Sequence, residues 1–144
     1  MAKSRCNTTY LPEIYFPDGL EVTTEFAEAV TDARDVLLAV PSHAFRETLE
    51  RFASLPSSPR NVAWATKGFE AETGLLPNQV ANEVLESRIT TAVLSGPTFA
   101  AEVGLGLPTA ITIASKDTDN ALRLAQSVTT DNFRAYTSTD IVGV

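Results

Sequence analysis

The feature that most constrains the fold is the run Asp35-Val36-Leu37-Leu38-Ala39-Val40, stopped by Pro41. It is too short for a helix of its own, and its unbroken apolar stretch reads as a strand buried on both faces. Strands of that kind belong to parallel sheets covered by helices on either side. A second apolar run, Val62-Ala63-Trp64-Ala65, ends in a polar tip, Thr66-Lys67-Gly68. Gly68 supplies the permissive backbone that a turn there requires. Ligands of open α/β sheets bind beyond the carboxyl ends of the strands, which is where Lys67 falls. On spacing alone the simpler reading of Lys67 is an exposed charge closing a strand, with ligand contact as the alternative.

The rest of the chain continues the alternation. Residues 1–17 show no clear period, yet Tyr10, Leu11, Ile14, Tyr15 and Phe16 give them the weight of a covered connection packed on a sheet edge. The Asp18-Gly19 turn signal predicts a short strand over 20–23, then a helix over 25–33 capped by Thr24. Ser42 is expected to cap a helix with Phe45, Leu49 and Phe52 on its inner stripe. Further helices are predicted over 76–85 and 98–103. A last helix, capped by Ser115 or Asp117, should turn Leu122, Ala125 and Val128 inward. Strands are predicted over 90–94, 109–114 and 133–137, the last with the alternating faces of a sheet edge. This order specifies a doubly wound α/β sheet. Trp64 and Phe99 read as core residues, and Glu70 and Glu72 as a solvated turn.

Composition narrows the function. The 144 residues suit one ordinary domain, and 44% hydrophobic content supports a real core. A net charge of −7 without any Lys/Arg run speaks against a nucleic-acid partner, while leaving room for a local cationic pocket. One cysteine, Cys6, and one histidine, His43, exclude a disulfide framework and a Cys/His metal site. No apolar span of membrane length and no signal-peptide core are present, so a cytoplasmic protein is expected. Ser42-His43 lacks a glycine elbow and an orienting acid, which argues against a hydrolase triad. Three strand ends, Val40-Pro41-Ser42, Ala65-Thr66-Lys67-Gly68 and Ser95-Gly96-Pro97-Thr98, should share one sheet edge. Pro97 suits a first helical position, and Gly96 allows close backbone approach and an anion at the amides beyond it. The same turn is also what any strand-to-helix connection would use. No G-x-G-x-x-G phosphate turn occurs.

Several of these segments together carry a resemblance. Arg5-Cys6-Asn7, Tyr10-Leu11-Pro12, Val40-Pro41-Ser42, Trp64-Ala65-Thr66-Lys67-Gly68 and Leu94-Ser95-Gly96-Pro97-Thr98-Phe99-Ala100 stand in a familiar order. Gly106-Leu107-Pro108-Thr109-Ala110 and the stretch from Tyr136-Thr137-Ser138 to Ile141-Val142-Gly143-Val144 extend it. The sequence resembles bacterial NAD(P)-dependent glycerol-3-phosphate dehydrogenases across essentially its whole length. The resemblance implies a Rossmann-like, mainly parallel sheet and reduction of dihydroxyacetone phosphate to sn-glycerol 3-phosphate for phospholipid synthesis. It implies NAD or NADP as cofactor, a phosphorylated small-molecule substrate and a homodimeric parent. Lys67 would meet both cofactor and substrate, Gly96 and Thr98 the substrate, and Val40, Pro41 and Ala100 the cofactor. It also implies a chain truncated at both ends. The family's first βαβ unit falls before Met1, and its general acid/base lysine and C-terminal helical domain fall beyond Val144. Activity of this chain alone is therefore not expected. Two alternatives keep the same fold: a non-catalytic nucleotide-binding module or gene remnant, and a related hydroxy-acid dehydrogenase.

Overall fold

The computed structural model describes residues 1–56, 61–85 and 89–144. Its centre is a five-stranded sheet, in the order β3 (Asp35–Leu38), β4 (Asn61–Trp64), β5 (Thr90–Ser95), β6 (Thr109–Ala114) and β7 (Phe133–Ser138). The pairs β3–β4, β4–β5 and β6–β7 are parallel, and β5–β6 is antiparallel, so the sheet is mainly parallel. The reversal has a local cause. The segment between β5 and β6 holds only the short helix α4 (Ala100–Gly104), which packs on β2 (Leu11–Tyr15) instead of crossing the sheet. The chain thus re-enters the sheet from the edge at which it left.

Helices cover both faces. On one side α2 (Ser42–Ala53) and α3 (Pro77–Val84) bury Phe45, Leu49, Phe52, Val80 and Ala81 against Val62 and Trp64. On the other, α5 (Thr118–Val128) packs Leu124 and Ala125 against Ala63, Ala92, Leu94, Ile111 and Ile113. Strand periodicity explains the split, since successive residues of β4 point to opposite faces. Trp64 is 1% exposed and meets Phe45 edge to face, with ring centroids 5.6 Å apart. Arg123 of α5 reaches Asp35 at the start of β3 through two hydrogen bonds of 2.7 Å, tying the last helix to the far strand.

Several expectations are corrected. Burial on both faces belongs to β4, every residue of which is buried; β3 lies at the sheet edge and leaves Leu37 54% exposed. Residues 20–23 form no strand. Instead, β1 (Cys6–Asn7) and β2 pair as a separate antiparallel ribbon within the stretch read as a loop. Helix α1 (Phe26–Val30) is shorter than predicted and begins after Glu25, whose N–H is held by the Thr23 hydroxyl, so Thr24 is not its cap. Pro41 occupies the cap position of α2 and Ser42 is its first residue. Pro97 precedes α4, which starts only at Ala100 because the Thr98 N–H first turns back to Gly96 O. Leu122 faces outward, and Asn120 and Ala121 take the inner face of α5. Phe99 is exposed. Asp117 does cap α5, accepting a 3.0 Å bond from the Asn120 N–H.

Candidate functional site

Because β3, β4 and β5 run parallel, their carboxyl ends meet at one edge. The tips are stitched together by side chains. Thr66 is buried just past β4, and its hydroxyl donates to Val40 O at 2.7 Å, joining the tips of β3 and β4. Lys67 follows on the exposed side and donates from Nζ to Gly96 O at 3.2 Å, joining the tips of β4 and β5. Gly96 O also accepts the Thr98 N–H at 2.8 Å, while the Thr98 hydroxyl donates to Ala110 O at 3.0 Å. Lys67, Gly96 and Thr98 therefore form one bonded chain from β4 to the start of β6.

Glycine is required at 96 by proximity. A Cβ built there would lie 3.0 Å from Ala110 O and 3.2 Å from Ile111 Cα, so the tip of β5 is pressed onto β6. At 68 the requirement is conformational: Gly68 has φ +93°, a left-handed value that other residues adopt only with strain. That turn swings the chain away from the sheet immediately after Lys67.

Beside Lys67 lies an open cleft of about 270 Å³, bordered by Trp64, Gly68, Asn78, Ser95, Ile141 and Val142. Pro77 starts α3 at its rim. Of the residues singled out from the sequence, Lys67 borders this cleft, whereas Gly96, Thr98, Val40, Pro41 and Ala100 lie outside its lining. Val40 is held through Thr66, and Pro41 leads straight into α2. Ala100 is exposed at the start of α4.

Sequence reasoning missed the group behind Lys67. Glu70, read as part of a solvated turn, has a side chain only 14% exposed and accepts from Arg46 Nε at 2.7 Å and Nη2 at 2.9 Å. The Arg46 guanidinium, with help from the Thr73 hydroxyl, holds the Glu70 carboxyl at about 2, well below the usual carboxylate range. Arg46 also meets Glu83 of α3 at 2.8 Å, and the two carboxylates raise the affinity of its guanidinium for its proton. No periodicity links residues 24 positions apart, so this pairing has no sequence signal.

The helix-covered sheet and its aligned strand tips define a Rossmann-like α/β protein. Comparison with known proteins gives the family. The family model described as NAD-dependent glycerol-3-phosphate dehydrogenase N-terminus matches residues 1–121, and the chain belongs to that family. It is 43% identical over its whole length to glycerol-3-phosphate dehydrogenase (NAD(P)+) of Actinobacillus pleuropneumoniae serotype 5b, covering 43% of that protein. Identity to the corresponding enzyme of Escherichia coli strain SMS-3-5 is 44%, again over 43% of its length. The crystal structure of glycerol-3-phosphate dehydrogenase from Coxiella burnetii superposes with a TM-score of 0.89 at 34% identity, covering 99% of this chain and 43% of that one. The chain thus spans less than half the length of the relatives it matches. Among the described residues no helix is long and apolar enough to cross a membrane.

Proposed function

We propose that this chain is the cofactor-domain part of an NAD(P)-dependent sn-glycerol-3-phosphate dehydrogenase, which reduces dihydroxyacetone phosphate to sn-glycerol 3-phosphate for phospholipid synthesis. The observation that carries this reading is the placement of Lys67, a cation at the shared edge of three parallel strands, 3.2 Å from Gly96 O and bordering a cleft. A cation there suits an oxygen-rich, anionic ligand in a chain whose net charge is −7.

In this reading Lys67, Gly96 and Thr98 meet the substrate, and Val40, Pro41, Lys67 and Ala100 meet the cofactor. The donor set suits NAD or NADP: Val40, Pro41 and Ala100 offer apolar surface to a ring, and Lys67 and Thr98 offer donors to oxygen. When bound, the nicotinamide supplies a hydride to the ketone carbon. Lys67 leaves Gly96 O and hydrogen-bonds the ketone oxygen, polarising it as negative charge develops there, while the proton that completes the alcohol comes from the family's general acid/base lysine. Gly96 and Thr98 fix the tip of β5 on which Lys67 rests. A cytoplasmic location and a homodimeric assembly belong to the same proposal, the first supported by a single buried, unpaired cysteine.

The test is a graft of this chain in place of the matching segment of the E. coli relative, assayed for dihydroxyacetone-phosphate-dependent oxidation of NADH and NADPH. Turnover is expected, and Lys67→Ala should lower kcat/KM by about 10²-fold or more. A folded graft inactive with both cofactors would overturn the substrate assignment. Full activity in Lys67→Ala would remove Lys67 from the site.

A further inference from the structure

The proposed role of Lys67 raises the question of what holds it. In front, its amine rests on Gly96 O. Behind it, Gly68 turns with φ +93° and Phe69 is 65% exposed, so no apolar anchor fixes the segment that leaves β4. The first firm attachment is Glu70. Its N–H donates to Leu75 O and its carbonyl accepts the Gly74 N–H, each at 2.9 Å, closing a compact turn over 70–75. Its carboxylate accepts the Arg46 fork and the Thr73 hydroxyl. Arg46 joins three elements that border the edge. It sits on α2, which follows directly from Val40-Pro41; it grips the turn beyond Lys67; and it pairs with Glu83 on α3, whose N-terminus rims the cleft.

From this arrangement we propose that Arg46 and Glu70 are positioning residues that set the reach of Lys67 toward Gly96 and toward its ligand, a role resting on the function proposed above. The packing argues for positioning over bulk stability. Helices α2 and α3 are already anchored to the sheet by Phe45, Leu49, Phe52, Val80 and Ala81, so the ion pairs are not needed to dock them. An exposed lysine–carboxylate contact would hold the turn loosely, whereas a two-point guanidinium fork fixes orientation as well as distance. Only Gly68 and Phe69 separate the fixed Glu70 from Lys67 along the chain, so the position of Glu70 limits where the Lys67 backbone can sit. A misplacement on the order of 1 Å at a reacting group lowers rates by as much as about 10²-fold.

The test uses amide NMR of the chain itself, with calorimetric titration of dihydroxyacetone phosphate and NADH into the graft described above, on Arg46→Met, Arg46→Lys and Glu70→Gln. Arg46→Met should shift the Lys67, Gly68 and Gly96 amide resonances and weaken dihydroxyacetone phosphate about 10-fold. Arg46→Lys, which keeps the charge and loses the fork, should fall between it and the parent. If Arg46→Met fails to fold, Glu70→Gln carries the same comparison, because it keeps the side-chain shape and removes the charge. Unchanged Lys67 and Gly96 resonances, with only a lower Tm, would overturn the proposal. Shifted resonances in the chain beside a graft that binds neither ligand would support the positioning link and refute the ligand reading. Binding of both ligands, unaltered in Arg46→Met with no shifts, would refute positioning alone.

Discussion

Replacing Gly96 with alanine tests the geometry of the site edge most directly. The new Cβ would stand 3.0 Å from Ala110 O, 3.2 Å from Ile111 Cα and 3.3 Å from Thr98 Oγ1. Ordinary contact begins near 3.4 Å, so β5 and β6 must open by about 0.4 Å (3.4 less 3.0). Neither side yields easily. Ala110 O already accepts the Thr98 hydroxyl, and Ala110 is in register with Arg134 of β7, so pushing it outward disturbs both the tip and the next strand pair. Overpacking against backbone of this kind costs about 1–3 kcal/mol. For a chain of this size that corresponds to a drop in Tm of roughly 4 °C per kcal/mol. Urea unfolding of Gly96→Ala beside Gly19→Ala measures it, because a Cβ at Gly19 has nothing within 4 Å. The control should stay within about 0.5 kcal/mol of the parent. If Gly96→Ala does so too, the close approach of β5 to β6 is not a constraint and the argument for glycine at this tip fails.

Acid should erase the contribution of Glu70. Its carboxyl is lowered from 4.5 to about 2 by Arg46 and Thr73, so the stabilisation is complete above pH 4.5 and is lost as pH falls toward 2. The Tm difference between the parent and Glu70→Gln should therefore be largest at neutral pH and shrink across that window; a difference independent of pH refutes the assignment. Asp117→Ala removes the side-chain bond to the Asn120 N–H at the start of α5 and should destabilise by about 1 kcal/mol, whereas Asp117→Asn should recover most of it. Chemical denaturation of both variants decides whether the cap acts as drawn.

The core of the fold was legible wherever periodicity and burial act together. Val62-Ala63-Trp64 reads as a strand because its residues are apolar on both faces, and the structure buries both. The same pattern misled at Leu37, whose apolar character is not matched by cover in this chain. Composition says what a face prefers, and it does not supply the neighbour that covers it. The ribbon of β1 and β2 was hidden for a different reason. Cys6–Asn7 is too short to show alternation, and Pro12 within Leu11–Tyr15 argues against a strand except at an edge, which is where β2 lies.

At the site edge, legibility stops where three-dimensional proximity takes over. A lysine after a buried strand and before a glycine is placed at a strand tip by local rules alone, and the Gly68 turn obeys them. A shared edge for the tips of β4 and β5 was expected from the order of elements, and their pairing as parallel neighbours brings Lys67 to Gly96 O. What lies behind Lys67 follows from neither. Arg46 sits midway along α2, where a charged residue on a helix ordinarily means solvent, and Glu70 sits in a turn where an acid means the same. Their meeting depends on how α2 packs over the sheet, which Phe45 and Leu49 determine from the stripe that Arg46 flanks. The apolar stripe of α2 thus sets where its polar side points. A substitution in that buried stripe which rotated α2 would carry Arg46 away from Glu70, and through Glu70 would loosen Lys67, without touching any residue at the strand tips.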